Sequence, residues 1–369
     1  MNYSILRTKE QLETLLSEWP ALLKSSPVNS VFLTYDWIIS WLDSREQRKP
    51  QLLTIAVRDS DGRLAGIAPF YKTQFRLLGA LPIKALQVLG DVDSGAEYGN
   101  IITRSNSSPI VCDQICEALG QCKNEWDIIY FGNVASWRSE NDKVIQMLAA
   151  GPFAHRSRPR SFAACCLAQS YDAYMKSLSR NMRSQIKRKT KNFLAEHPIE
   201  FEEVETADVL RDAMAILFSL HEARWQVKQE SGSFNRNPVL KRFYEIFLPR
   251  ALNNGWLRIF SLRSTDSTIA VQYGLSYEGV FSQVQEGFNP VKHSGAGNVL
   301  RNHVIQQLIE EGHAEYDFLG GFTEHKRRWG ARERIGSDYI VTNNSAMGRL
   351  LRFFPVWPTG RYMHEHNGQ

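Results

Sequence analysis

Cysteine, long apolar runs and an excess of one charge are all scarce in this sequence, and each scarcity excludes a class of protein. The five cysteines are odd in number and form no Cys-x-x-Cys pair, which argues against a zinc knuckle or a disulfide framework. No segment approaches the roughly 18–20 consecutive apolar residues of a membrane-spanning helix. The 44 basic and 39 acidic residues give a net charge of +5, which permits an anionic ligand without requiring nucleic acid.

The two ends of the chain indicate where the protein works. The first twenty residues, MNYSILRTKEQLETLLSEWP, contain acidic residues and lack the apolar core of a signal peptide, so we expect a cytoplasmic protein. Near the other end, GRLLRFFPVWPTGRYM mixes arginine with aromatic residues and two prolines. We expect this stretch to pack against the body, with contact to the inner membrane surface as the alternative.

One set of elements occurs twice along the 369 residues, a length that suits about two domains. VRDSDGRLA (57–65) and LRSTDSTIA (262–270) share Arg, Asp, an aliphatic residue and Ala, and each lies at the turn of a predicted β-hairpin. Each copy continues to a helix, near 109–122 and at 297–312, and then to a strand. We place two aromatic-Asp pairs at equivalent positions of those strands: Trp126-Asp127 and Tyr316-Asp317. Duplication of a mixed α/β lobe explains this order better than chance.

A basic segment separates the two copies. Apolar residues recur at helical spacing from 171 to 197, which predicts one long amphipathic helix. Its other face carries Arg180, Arg183, Lys187 and Lys191. A solvated surface is the favoured interpretation, and a rim that attracts phosphates or acidic sugars is the functional alternative. Two further helices are predicted at about 207–225 and 238–252.

The second copy contains a glycine-opened helix in PVKHSGAGNVL. Glycine lets backbone amides approach a ligand, and the first turn of a helix directs its unpaired N–H groups at the same point, which favours phosphate binding. A turn without a ligand is the alternative. The motif lacks the Gly-Lys-Ser/Thr of a Walker loop and the third glycine of a dinucleotide fingerprint. The candidate phosphate-binding residues are Lys292, Ser294, Gly295, Ala296, Gly297 and Asn298.

The order of elements here is a strand, a basic residue, x-x-Gly-x-Gly, a helix and another strand. This order resembles that of the GNAT acyltransferases. In that family an Arg/Gln-x-x-Gly-x-Gly/Ala turn cradles the pyrophosphate of acetyl-CoA; here Lys292 replaces the Arg or Gln. Over about residues 30–345 the chain further resembles the CelD/BcsL type, which is associated with cellulose and exopolysaccharide biosynthesis. The stretches that carry this include SVFLTYDWIISWL, LSRNMRSQIKRKTK, LHEARW and YDFLGGFTEHKRRWG, with His325-Lys326 where the family usually has Tyr-Lys. Related Fem-like peptidoglycan aminoacyltransferases share the two-lobed plan.

The resemblance implies a mixed α/β fold of tandem duplicated GNAT-like lobes joined by the long basic helix. The lobes would cover 1–168, which lacks the cofactor turn, and 169–345, which binds the cofactor, with a tail at 346–369. Acetyl-CoA or another acyl-CoA would be the co-substrate, no metal would be needed, and the acceptor would be a small-molecule amine or amino sugar. Association with the envelope polysaccharide machinery would follow, and a nucleic-acid partner is not expected.

Two carboxylates are candidates for the catalytic groups of an acyl transfer to an amine, which requires a base and a donor to the developing oxyanion. Glu286 lies near the strand end where the acyl group is expected, and an exposed strand carboxylate is its alternative. Asp317 begins the partner strand and is expected either to orient the amine, to act as base, or to be structural. Lys326 follows closely enough to bind an acidic substrate group, unless it is surface charge.

A second group of side chains is predicted to contact the acceptor. LHEARW places His221, Arg224 and Trp225 three and four residues apart on one helix. Arginine and tryptophan suit carboxylate binding and sugar stacking, although packing is the more common use of a helical tryptophan. The SGSF segment at 231–234 has the composition of a loop that could cover the acceptor.

Three hypotheses follow from the sequence. The first is an acyl-CoA-dependent N-acyltransferase of envelope or exopolysaccharide assembly. The second is a Fem-like transferase that uses aminoacyl-tRNA and acts on a peptidoglycan-type precursor, with the basic helix on the RNA. The third is a non-catalytic accessory protein on the same fold.

Overall fold

The computed structural model of the protein describes residues 1–77, 81–138, 140–151, 153–204, 206–226, 233–265, 267–289, 291–353 and 357. They form two compact units. Unit 1 comprises Met1–Arg160 and Ile335–Gln369, and unit 2 comprises Ser161–Arg334. The boundaries differ from those of the predicted lobes because the strand that ends at Thr342 pairs within unit 1, so the chain returns to that unit after completing unit 2.

The strands and helices are numbered along the chain. The strands are β1 (Asn2–Leu6), β2 (Gln51–Leu52), β3 (Thr54–Arg58), β4 (Leu64–Ala68), β5 (Phe70–Leu77), β6 (Leu81–Val88), β7 (Ile102–Thr103), β8 (Ile128–Val134), β9 (Ala154–Cys166), β10 (Ile199–Glu203), β11 (Leu257–Ser264), β12 (Ser267–Tyr277), β13 (Val280–Phe288), β14 (Glu315–Gly320) and β15 (Arg332–Thr342). The helices are α1 (Lys9–Glu13), α2 (Trp19–Lys24), α3 (Tyr35–Asp43), α4 (Ser108–Gln121), α5 (Lys143–Ala150), α6 (Tyr171–Ser177), α7 (Arg180–Glu196), α8 (Ala207–Gln226), α9 (Ser233–Arg236), α10 (Pro238–Asn253), α11 (Ala296–Glu310), α12 (Glu324–Arg328) and α13 (Ala346–Leu351). Short 3-10 turns occupy Val31–Leu33, Glu46–Arg48 and Ser105–Ser107.

Unit 1 contains two sheets. The smaller has the order β1-β3-β4-β7 and is antiparallel, and α4 packs closely on it at Gly66, where a Cβ atom would lie 2.3 Å from Val111. The larger has the order β15-β8-β6-β5-β2, in which β6 and β8 are parallel and the other pairs antiparallel. The predicted hairpin at 57–65 is therefore confirmed as β3–β4.

Unit 2 is built on the sheet β10-β11-β12-β13-β14-β9, in which only β13 and β14 are parallel. Its core forms where α11 and the helices α6 and α7 cover the sheet with apolar side chains. The largest apolar side chains of this core are Tyr174, Phe193, Phe260, Phe281, Tyr316, Phe318 and Trp329. The second predicted hairpin, at 262–270, is confirmed as β11–β12.

The register of the parallel strands corrects the predicted match between the two copies. The amide of Asp127 donates to Lys84 O (2.8 Å) one residue before β8 begins, and the amide of Ala314 donates to Gly279 O (2.9 Å) one residue before β14 begins. By register, Asp127 therefore corresponds to Ala314. Asp317 lies three residues further along its strand, so the predicted equivalence of Asp127 with Asp317 was wrong, because a shared aromatic-Asp dipeptide does not fix strand register.

The predicted long helix between the copies is divided into α6 and α7. Leu178 is extended (ψ 158°), and the Ser179 side chain accepts from the amide of Met182, so it caps a new helix. Apolar spacing alone could not show this break, because both helices bury their apolar residues in the same core. The helices predicted at 207–225 and 238–252 are confirmed as α8 and α10. Among the described residues, none of the helices combines the length and hydrophobicity that crossing a bilayer requires.

Candidate functional site

The strands β13 and β14 pair over only three residues and then part. The pairs are Val280 with Glu315, Phe281 with Tyr316, and Ser282 with Asp317. Immediately beyond, the register between β12 and β13 shifts at Tyr273/Gly274, so β13 bulges. We call the space where these two strands separate the β13/β14 cleft. Such an opening between neighbouring parallel strands leaves main-chain groups accessible to an extended ligand.

The turn between β13 and α11 is held by Asn289. Its Oδ1 accepts from the amides of Val291 (3.1 Å) and Lys292 (3.0 Å), and its carbonyl accepts from the amide of His293 (3.0 Å). The chain then reverses at Gly295, which caps α11 with φ 99° and ψ −13°. A side chain is strained in this left-handed conformation, which explains the first glycine of the motif.

Three main-chain amides at this helix start are available to an anion. Ala296 N donates to His293 O and Asn298 N to Gly295 O, but the amides of Ser294, Gly295 and Gly297 have no acceptor among the described residues. The positive end of the α11 dipole lies at the same place. The turn is therefore open and suited to phosphate oxygens.

The predicted phosphate-binding residues divide into two groups in the structure. Lys292 and Ser294 are exposed beside the open amides, and Asn298 is half-buried in the first turn of α11. Ala296, in contrast, is fully buried in the core. Gly297 has a packing role, since a Cβ atom there would lie 2.9 Å from the Phe288 ring. The second glycine thus brings α11 close to the end of β13.

Glu286, the predicted base, forms a buried ion pair with Arg301 of α11. The side chains of Glu286 and Arg301 are 13% and 3% exposed. Burial opposes the arginine charge, but Glu286 and Tyr316 together outweigh it and raise the pKa of Arg301 above its ordinary value. Gln283 Nε2 also donates to Glu286 (3.2 Å). Glu286 is therefore the counter-ion of a buried arginine, and not an exposed strand carboxylate.

Further polar side chains extend this pair into a network that runs from the buried Tyr316 to the exposed His325. Tyr316 Oη accepts from Gln272 Nε2 (2.7 Å) and donates to Gln283 Oε1 (2.8 Å). Burial raises the pKa of Tyr316, so its hydroxyl stays protonated. Arg301 Nη1 lies 2.7 Å from His325 Nε2. Because arginine only donates, this nitrogen accepts and the ring proton resides on Nδ1.

Asp317, the second predicted catalytic residue, is buried at the point where β14 bends. Its Oδ1 accepts from the amide of Leu319 (2.8 Å), and Leu319 has a φ of 59°. The register between β14 and β9 shifts over the same residues. A non-glycine residue with positive φ is strained unless its surroundings hold it. Asp317 therefore fixes the bend at the end of the β13/β14 cleft.

Lys326 holds the same bend from the other side. Its ammonium donates to the carbonyls of Phe318 (2.8 Å), Gly320 (2.6 Å) and Gly321 (2.8 Å). These contacts use the three donors of an ammonium group. The structure thus gives Lys326 a main-chain contact, and its contact with a substrate stays a prediction.

The predicted acceptor residues on α8 lie against the far end of β13. A Cβ atom at Gly287 would lie 2.7 Å from the His221 amide, so glycine allows α8 to approach the strand. His221 is buried, with its ring 5.0 Å from that of Phe234. Arg224 and Trp225 lie in the last turn of α8, but their side chains are outside the described residues. Of the predicted 231–234 loop, 231 and 232 are also outside, and α9 begins at Ser233.

A groove runs between α7 and α12 within unit 2. Its larger part measures about 390 Å³ and its smaller part about 80 Å³. Both parts share Met182, Gln185 and Arg328, and the smaller part reaches Asn298 in the first turn of α11 and the exposed His325. The groove therefore extends to the first turn of α11.

Sequence reasoning missed Arg301 and the glutamines Gln272 and Gln283. The available signal was Arg301 itself, a charge on the otherwise apolar face of NVLRNHVI. Its partner lies on a strand that precedes the turn, and spacing within one helix cannot reveal such a pair. Within the described residues, no cluster of three or more His, Cys, Asp or Glu side chains is arranged to hold a metal ion.

The part of the chain that contains this site is similar to a known family of domains. Residues 180–327, all within unit 2, match the family model described as acetyltransferase (GNAT) domain. No curated protein matches the chain. The crystal structure of FemX superposes with a TM-score of 0.65 at 12% identity, covering 96% of this chain and 100% of that one.

Two further solved structures extend the likeness. L-PGS from Bacillus licheniformis has a TM-score of 0.53 at 14% identity, covering 91% of this chain and 94% of that one. A conserved protein of unknown function from Bacteroides thetaiotaomicron has a TM-score of 0.54 at 13% identity, covering 92% and 99%. At these identities the likeness concerns the fold. The chain thus has a mixed α/β fold similar to that of FemX, and residues 180–327 of its second unit match the acetyltransferase (GNAT) domain model.

Proposed function

We propose that unit 2 transfers an acyl group from acyl-CoA, with acetyl-CoA as the first candidate, to the amine of a small acceptor such as an amino sugar. The observation that carries this proposal is the group of open amides at Ser294, Gly295 and Gly297, placed directly after β13 at the start of α11. A diphosphate is the part of acyl-CoA that such a helix start binds best.

The rest of the donor follows from the position of the β13/β14 cleft. With its diphosphate at the turn, an extended thioester arm enters where the two strands cease to pair, beyond Ser282 and Asp317. Main-chain amides along the parted strand edge then donate to the thioester carbonyl. These donors are fixed before the reaction, which favours the oxyanion over the ground state.

The reaction forms a C–N bond and breaks a C–S bond. The acceptor ammonium first loses a proton, its nitrogen attacks the carbonyl carbon, and the thiolate leaves and takes up a proton. We retain Glu286 and Asp317 as the candidate catalytic carboxylates. Glu286 would act while paired with Arg301, and Asp317 would act chiefly by holding the bend of β14.

The acceptor class follows from the resemblance to the CelD/BcsL type. We propose an amine or amino sugar of envelope or exopolysaccharide assembly, of the cellulose type, used on the cytoplasmic side. His221, Arg224, Trp225 and Lys326 remain the proposed acceptor contacts, since they lie on the elements that follow or cover β13 and β14. The functions of neighbouring genes would narrow the range of possible acceptors further.

A charge placed among the open amides tests the donor site without disturbing the fold. Ser294→Asp adds a carboxylate at an exposed position before α11, where an acidic residue favours the helix but repels a diphosphate. We expect acetyl-CoA affinity, measured by calorimetry, to fall by about tenfold or more. The matched control is Ser107→Asp at the start of α4 in unit 1, where Pro109 removes one amide, and it should bind like the parent.

Equal acetyl-CoA affinity in the parent and in Ser294→Asp would contradict this placement of the donor. Lack of binding by the parent itself would contradict acyl-CoA as the donor and would leave the aminoacyl-tRNA or accessory hypotheses.

A Fem-like, aminoacyl-tRNA-dependent transferase is the second candidate because of α7. This helix carries six basic residues and one acidic residue, and Arg180, Lys187, Arg188, Lys189 and Lys191 are exposed. The FemX-like fold over both units agrees with it. Filter binding of charged tRNA at increasing salt should then show a steep linear fall in log affinity, whereas a flat profile would reject this candidate.

A further inference from the structure

Unit 1 contains an apolar cavity that the proposed reaction does not use. Its volume is about 210 Å³. Phe75 of β5, Ile128 of β8 and Ile340 of β15 form its floor on one face of the larger sheet, and Leu351 of α13 and Trp357 form its walls. These residues belong to one apolar cluster of unit 1. A space of this size with apolar walls favours an apolar occupant over water.

The mouth of the cavity is basic. The exposed residues that line it are His155 and Arg156 of β9, and Arg352 lies half-buried beside them. Arg156 donates to the carbonyl of Arg352, which positions its guanidinium at the rim with further donors remaining. Arg158, on the same strand, stacks over the Trp357 ring at 4.6 Å. Arg158 is paired with Asp338, and Arg352 donates through Nε and Nη2 to Thr342, Asn343 and Asn344, so its Nη1 and the remaining donors of Arg156 face an anion. An apolar space below these donors is complementary to an amphiphile with an anionic head.

Apolar side chains lie exposed next to this mouth. Leu350 and Phe353 are 39% and 78% exposed, and they flank Leu351 and Arg352, which line the cavity. Arg349, on the same helix turn, is also exposed. Alternating exposed apolar and basic residues are typical of a surface that enters the headgroup region of a membrane. A soluble ligand alone would not require exposed leucine and phenylalanine here.

We infer that unit 1 binds an anionic phospholipid at a membrane surface, with one acyl chain in the cavity and the phosphate on Arg156 and Arg352. Leu350 and Phe353 then enter the bilayer interface. The phosphate headgroup accepts charge-assisted hydrogen bonds, and the acyl chain supplies dispersion contacts to the apolar side chains that line the cavity. The site is independent of the donor site in unit 2 and does not rest on the proposed transferase activity.

Vesicle co-sedimentation of the full-length chain tests the charge requirement. We expect association with phosphatidylcholine vesicles that contain phosphatidylglycerol, and weak association with phosphatidylcholine alone. Arg156→Gln should weaken binding by about fivefold, the effect of one basic residue at an anionic surface. The control is Arg63→Gln, an exposed arginine of unit 1 in the β3–β4 turn, which should bind like the parent. Equal binding to both vesicle types overturns the inference.

Two further variants test the insertion and the cavity. Phe353→Ser should reduce vesicle binding, whereas Ile110→Ser, which changes a 54% exposed isoleucine of α4, should not.

Ala154→Phe fills the cavity from β9, and circular dichroism would confirm that it folds. Vesicles whose lipids carry brominated acyl chains should quench the tryptophan fluorescence of the parent. Trp357→Phe and Ala154→Phe should both remove that quenching. Unchanged quenching in both variants overturns the assignment of the cavity as the acyl-chain site. If the protein binds free oleate but not vesicles, the membrane is not the source of the bound lipid.

Discussion

Glu286, Asp317 and Lys326 of unit 2 each have a structural partner, and this changes how their single substitutions should be interpreted. Glu286 neutralises Arg301, Asp317 holds Leu319, and Lys326 holds three carbonyls of the β14 bend. A loss of activity in any of these variants therefore combines chemistry with a change of cleft geometry. Stability must be measured beside activity.

For Glu286 this separation is direct. Glu286→Ala leaves the charge of Arg301 buried without its partner and should lower the free energy of unfolding by about 3–5 kcal/mol. The double variant Glu286→Leu, Arg301→Met removes both charges and should recover most of that loss. Urea unfolding measures both. If the single and double variants are equally unstable, the ion pair is not the source of the effect.

In unit 1, Asp91 makes the free energy of unfolding depend on pH. Burial and the neighbouring carboxylate of Asp338 raise the pKa of Asp91 to about 7. The folded state therefore holds a proton that the unfolded state releases near its ordinary pKa of about 4. Stability from this group is present below that value and is lost as the pH rises through 7.

Asp91→Asn should remove this loss. The difference in unfolding free energy between Asp91→Asn and the parent, followed by urea titration from pH 4 to 8, should rise by about 1–2 kcal/mol in favour of the variant. A difference that stays constant over this range would show that Asp91 titrates normally.

At the scale of elements, the two glycines that open α11 serve different purposes. Gly297→Ala places a methyl group 2.9 Å from Phe288 and should cost about 1–3 kcal/mol by overpacking. The double variant Gly297→Ala, Phe288→Leu should regain part of the lost stability, because leucine leaves more room for the added methyl group. Thermal unfolding measures this. Gly295 has open space around its Cβ position, so Gly295→Ala should be unaffected by Phe288→Leu.

Sequence patterns predicted elements better than their contacts. Apolar spacing located α8 and α10, and the turn signals located the β3–β4 and β11–β12 hairpins, because those patterns are local. The break at Leu178 and the pair Glu286–Arg301 escaped prediction, since each depends on packing between segments distant in the chain. The open amides at Ser294 and Gly295 followed from glycine conformation, which is again a local property.

At the scale of the whole molecule, the net charge of +5 resides in α7. The helix holds six basic residues and one acidic residue, so the rest of the chain holds 38 of each sign. Apart from the basic mouth of the unit 1 cavity, any general attraction to polyanions should therefore come from this one helix.

Heparin chromatography tests this concentration of charge. Neutralising Lys187, Arg188, Lys189 and Lys191 to glutamine should remove most of the retention. The control neutralises four exposed basic residues elsewhere, namely Lys24, Arg63, Lys123 and Arg332, which gives the same net charge but should leave most retention. Equal retention times for the two variants would show that net charge, and not its position, governs binding.

The return of β15 to unit 1 has a consequence for synthesis on the ribosome. The strand β8 gains its antiparallel neighbour only when residues up to Thr342 have emerged, after the whole of unit 2. Translation of those about 170 residues takes roughly 10–35 s at about 5–20 residues per second. The amino-terminal half of the nascent polypeptide therefore waits with an open sheet edge, and cellular chaperones have that interval in which to shield it.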